Sequence, residues 1–147
     1  MRNNLIILTV SVLSLLLLSS AIYADPSAEF DDGKVQMEKA QLMIEKGEMM
    51  QACKFDDKAA MLDEGKKMAE EGMKMTETGM QMQSTKGKAN LQEMGMKMRH
   101  CGDLLKKKGE QKEPLTDKDK QELKEEGEHL ASIGERMLEG GKLMSGQ

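Results

Sequence analysis

Glycine and methionine three residues apart, repeated every seven, run through most of this chain. Gly65-x-x-Met68, Gly72-x-x-Met75 and Gly79-x-x-Met82 follow one another at strict sevens. The pattern resumes at Gly95-x-x-Met98 and Gly102-x-x-Leu105, then at Gly127-x-x-Leu130, Gly134-x-x-Met137 and Gly141-x-x-Met144. Ala40-x-x-Met43 and Gly47-x-x-Met50 obey the same rule. Alternating steps of three and four are the signature of helices meeting along a narrow seam. No useful stretch alternates with period two, which dismisses strands. The expected class is all-α.

Punctuation divides the helical material into four pieces. Phe55, Asp56 and Asp57 interrupt the seam, and either Asp suits the cap of a following helix. Ser84 to Lys88 shifts the heptad phase, with Gly87 a candidate terminator. Gly109 to Pro114 is a polar break, and Thr116 offers a cap followed by early acids. Helices are therefore predicted near 32–54, 57–84, 88–109 and 116–144. Short connections favour antiparallel neighbours and hence a four-helix bundle. The rival is two tandem helical hairpins, 32–84 and 88–144, that meet a partner or a second copy. Gly47-Glu-Met-Met-Gln-Ala-Cys53 matches Gly95-Met-Lys-Met-Arg-His-Cys101 at Gly, Met and Cys, which suggests a duplicated hairpin. Glu70-Glu71-Gly72 and Glu125-Glu126-Gly127 echo each other in the same way.

The glycines carry an energetic burden. An interior Gly costs a helix about 0.8–1 kcal/mol relative to Ala. Summed over the seam, this is comparable to a small domain's whole stability of about 5–15 kcal/mol. Two accounts can offset it. Close backbone approach with flexible Met filling the irregular space is one; stabilisation by a bound ligand is the other.

The beginning of the sequence reads differently. Arg2 precedes an apolar run from Leu5 to Leu18, and small residues follow at Ser19, Ser20, Ala21 and Ala24. This is the layout of a secretory signal over residues 1–24, cleaved after Ala24 or Ala21, with a single helical domain over 25–147. The alternative is an uncleaved anchor, since Leu5 to Ala24 is about long enough to span a bilayer. With the leader removed the protein is expected to be periplasmic or secreted, and not integral to a membrane. Losing Arg2 leaves 21 basic against 26 acidic residues, and Phe30 and Phe55 become the only aromatics. Without a basic stripe or a stacking platform, nucleic acid is a poor partner.

Beyond Met1 lie 15 of the 16 methionines, and they fall into two sets. Three residues after the seam position, at about 300° on the helical wheel, stand Met61 (after Lys58), Met68, Met75 and Met82 (after Gly), which suit core knobs. One residue after Gly, at about 100°, stand Met73, Met80 and Met96, where a heptad normally carries charge. Core packing does not require the second set. They could face another helix, a partner or a metal. Thioethers are neutral, polarizable and need no deprotonation, so they suit soft ions such as Cu(I) and Ag(I).

Two further constellations surround the cysteines. Met94, Met98 and Cys101 form an i, i+4, i+7 stripe, with Met96 and His100 paired on the adjacent face. Met49 and Met50 stand four and three residues before Cys53. Each is a set of soft donors sufficient for a trigonal Cu(I) site. The competing reading is a Cys53–Cys101 disulfide, natural in an exported chain, or pairing between chains. His129 reads as a solvated surface residue, and the runs Lys106 to Lys108 and Asp117 to Lys120 as ordinary exposed surface or helix ends.

No Cys-x-x-Cys-His is present, which argues against covalent haem, and no Gly-rich phosphate loop points to a nucleotide. His100 and His129 are the only imidazoles, so nucleophilic catalysis has little to draw on and an enzyme is not expected. The sequence thus favours an exported, methionine-rich buffer or carrier for Cu(I) or Ag(I). The alternative is a helical interaction or chaperone-like module gripping partner helices, or itself, through a Met-rich surface. A third reading is a sacrificial sulfur pool that absorbs oxidants.

Overall fold

The computed structural model describes residues 26–147; the leader and its cleavage positions lie outside the described residues. Four helices follow in order: α1 Pro26–Gln51, α2 Lys58–Gln81, α3 Thr85–Glu110 and α4 Asp117–Met144. No strand occurs among the described residues. The expected class and the antiparallel bundle are both present.

Local chemistry explains the boundaries. α1 starts earlier than predicted and ends at Gln51, short of 54, because Cys53 takes a left-handed φ of 45°. The Lys54 amide then donates to the Met49 carbonyl and the Cys53 amide to that of Met50, closing the helix as a Schellman turn. Asp57 caps α2 by accepting from the Ala60 amide at 2.7 Å. Gly87 does not terminate anything: it lies in the first turn of α3, where its amide donates to the cap residue Ser84. Thr116 and Asp119 bond reciprocally at the start of α4, forming a capping box.

Two of the four pairings are backbone to backbone. On α2 and α3, Gly65 faces Gly102 and Gly72 faces Gly95, running antiparallel. On α1 and α4, Gly33 faces Gly141 and Gly47 faces Gly127. The close pairs are therefore the inner hairpin and the two outer helices, and they cut across the division at 32–84 and 88–144. The two pairs join through α3, which meets both α1 and α4. α1 and α3 run parallel. Asp32 accepts from the Ser84 amide and hydroxyl, and further along Asn90 donates to Gln36, which in turn donates to the Met137 carbonyl.

Between the pairs lies a core built on sulfur. Met43, Met50, Met61, Met68, Met75, Met82, Met94, Met98 and Met137 are buried, with Leu91, Leu105, Leu123 and Leu130 completing it. Glycine on the seam brings backbones together, and the residue three positions later points into this layer, as its wheel position requires. Of the basic run Lys106 to Lys108, read as exposed surface or a helix end, Lys108 is a helix-end residue but not an exposed one. It is only 6% exposed and bridges Asp119 at 2.5 Å and Glu122 at 2.6 Å. Its long stem crosses the end of the core while its ammonium reaches α4. That ion pair, together with bonds from Thr116, holds the Asp119 carboxyl far below its ordinary range. No helix among the described residues is long and apolar enough to cross a membrane.

Candidate thioether sites

The second methionine set is on the surface, as its wheel position predicts. Met73 is 45%, Met80 62% and Met96 64% exposed. Met73 and Met96 each follow one of the facing pair Gly72 and Gly95. Local antiparallel symmetry carries both to the same outer face. There they line one groove of about 240 Å³ with Thr76, Glu77 and Arg99. Thr76 is fixed at its floor, its hydroxyl donating to the Gly72 carbonyl at 3.0 Å. Two thioethers from two helices thus share a solvated cleft beside a carboxylate and a guanidinium. Thr76, Glu77 and Arg99 were not singled out in the sequence. The register Gly72–Gly95, once known, identifies all three. Met80 is exposed about two turns further along α2 and does not line this groove.

The stripe Met94, Met98 and Cys101 does form one face of α3, and that face is the core. All three are fully buried. Burial pushes the Cys101 thiol up to about 12, with Lys97 lowering it and Glu126 raising it to lesser extents. It therefore stays protonated at neutral pH, its Sγ directed at the Glu126 carbonyl of α4 at 3.9 Å. A metal could take it as thiolate only by displacing that proton. Met96 and His100 are both exposed, but His100 reaches the other way, with Nε2 3.6 Å from Glu126 Oε2. The Glu126 carboxyl experiences burial, which raises it. That is outweighed by its 2.5 Å contact with Lys97, aided by His100 and His129, and its net shift is downward.

Met49, Met50 and Cys53 end up in three environments. Met50 is fully buried against Gly127, and Met49 is half-buried against the core. Cys53 opens into a cavity of about 370 Å³ at the bundle end with Phe55, Met61 and Leu115. Both cysteines are free, so the Cys53–Cys101 bridge of the competing reading is absent. Geometry gives the reason. Cys101 is level with Gly127, hence with Gly47, and Cys53 lies six residues further along α1. At about 1.5 Å per residue that is roughly 9 Å of axial separation, beyond the ~7 Å a disulfide tolerates between Cα atoms.

Among the described residues, no group of three His, Cys, Asp or Glu side chains is arranged to hold a metal ion. The soft donors that share one groove are the thioethers of Met73 and Met96. No family model, curated protein or solved structure matches this chain.

Proposed function

We propose that this is an exported, non-enzymatic binder of soft monovalent metal, acting as a periplasmic buffer or carrier of Cu(I) or Ag(I). The carrying observation is the groove in which Met73 and Met96 present two solvated thioethers from adjacent helices. Exposed methionine at heptad positions that normally hold charge costs solubility and adds nothing to the core. Two polarizable sulfurs at one cleft give that placement a chemical purpose. Glu77 supplies negative charge near the ion, and a surface site in exchange with solvent suits a protein that must release its cargo. Arg99 opposes the cation's charge, which favours a monovalent over a divalent ion.

Titration of the purified protein with Cu(I) against a competing chelator tests the reading. Binding tighter than that of free methionine is expected, reduced by Met73→Leu with Met96→Leu while helicity is kept. Affinity no better than free methionine would sink it. If the double variant instead loses capture of helical peptides but not metal, the Met surface is an interaction module.

A further inference from the structure

A second cavity, which the outer groove does not touch, reaches buried methionines. This cavity, about 460 Å³, lies where α1 and α2 stand apart, and it runs from the surface down to Met68 of α2 and Met98 of α3. Both sulfur-bearing side chains are buried, at 1% and 0% exposure, yet both line the opening. They are level with each other. Gly65 faces Gly102 across the antiparallel seam, so the residue three after the first stands beside the residue four before the second.

Met43 of α1 comes to the same level. The bond between Gln36 and Asn90 sets the register of the parallel helices α1 and α3. Met43 is seven residues past Gln36, as Lys97 is past Asn90, which places it beside Met98. Its neighbour Leu42 lines the cavity itself. Met43, Met68 and Met98, from three helices, are all buried in the same core cluster, Met68 and Met98 at the cavity itself and Met43 behind Leu42.

The cavity rim fits a small cation. Lys46, Lys67 and Lys74 stand around it, but each ammonium is held by a carboxylate: Glu64 at 2.6 Å, Asp63 at 2.6 Å and Glu71 at 2.9 Å. Glu70 is the rim's remaining carboxylate. Three neutral sulfurs in a low-dielectric layer cannot compensate a divalent charge, whereas a soft monovalent ion needs little more than polarizable donors.

We infer that Met43, Met68 and Met98 form a trigonal site for Cu(I) or Ag(I), entered through the cavity between α1 and α2. This inference rests on the soft-metal reading and adds a second, enclosed position to it. Held there, the ion would be shielded from water and oxidants, while the outer groove exchanges freely.

Silver, which does not change oxidation state, is the probe. Methionine methyl NMR on the wild-type protein during Ag(I) titration should shift Met43, Met68 and Met98 together, separately from Met73 and Met96. Met68→Leu with Met98→Leu, a swap that conserves core volume, should bind one silver fewer with the Met73 and Met96 shifts intact. The inference is overturned if the interior methyls stay still at silver levels that move the outer pair, or if the double variant binds as much silver. That result leaves the outer groove standing. A protein that binds no silver at all removes both readings. Should the double variant not fold, the wild-type methyl shifts decide alone.

Discussion

Replacing Gly72 by alanine sets two effects against each other whose sizes can be worked out. Alanine gains about 0.8–1 kcal/mol over glycine in a helix interior. A Cβ at position 72, however, would stand 2.5 Å from the Arg99 amide nitrogen and 2.6 Å from the Gly95 carbonyl oxygen. Ordinary contact needs about 3.5 Å, so α2 and α3 must separate by roughly 1 Å at this level. Both obstacles are backbone, and no rotamer change relieves them. A gap of that size forfeits a quarter to a half of each neighbouring contact, and overpacking of this kind costs about 1–3 kcal/mol. The net expectation is a loss of ~1–2 kcal/mol, or about 5–10 °C in Tm, followed by circular dichroism at 222 nm. Gly140→Ala is the control, since its nearest obstacle is the Gln36 side-chain nitrogen at 3.1 Å. That obstacle is the end of a side chain and needs to give only a few tenths of an ångström, so this substitution should keep most of the helix-propensity gain of about 0.8–1 kcal/mol. Adding Gly95→Ala to Gly72→Ala should cost less than the sum, because the first substitution has already parted the helices. A Gly72→Ala protein stabilised by the full helix-propensity gain would refute the backbone contact on which the fold description rests.

The remaining expectations concern sulfur. Under mild peroxide, mass spectrometry should find Met73, Met80 and Met96 converted to sulfoxide before Met43, Met68 or Met94; equal rates would mean that the core is open. A thiol reagent should label Cys53 well before Cys101, because one thiol is partly exposed and the other buried and protonated. The raised Cys101 pKa also fixes a sign. Its contribution to stability is intact below the ordinary 9.0 and is lost as pH climbs toward about 12, so denaturant midpoints should fall through that window and Cys101→Ala should flatten the fall.

Much of the architecture is legible in the heptad, for a simple reason. A residue's angle on the helix follows from its count after glycine, so Met68 and Met75 had to point one way and Met73 and Met96 the other. Caps at Asp57 and Thr116 are equally local and equally readable. What periodicity does not encode is which seam meets which. Gly47 could have faced Gly65 in a sequential hairpin, and it faces Gly127 instead. That choice is made by the whole set of contacts, including the Asp32–Ser84 and Gln36–Asn90 bonds between distant segments. The soft-donor stripes around the cysteines were visible for the same local reason. Their burial, and the distance separating Cys53 from Cys101, depended on tertiary register and so were not. Lys108 shows a related blind spot, since a lysine in a basic run carries no mark of the two carboxylates waiting on another helix.

Glycine seams and a methionine layer also give the bundle a mechanical grain. Within each close pair the backbones touch, and neither helix can advance on the other without atoms colliding. Between the pairs, the filling consists largely of unbranched side chains with three rotatable bonds, and the polar ties across it are local ones such as Asp32–Ser84, Gln36–Asn90 and Lys108–Asp119. Thermal motion should therefore collect in one direction, across the sulfur layer, with each helix pair moving as a plank. The bundle is a hinge-free sandwich, stiff in its two faces and soft in its filling.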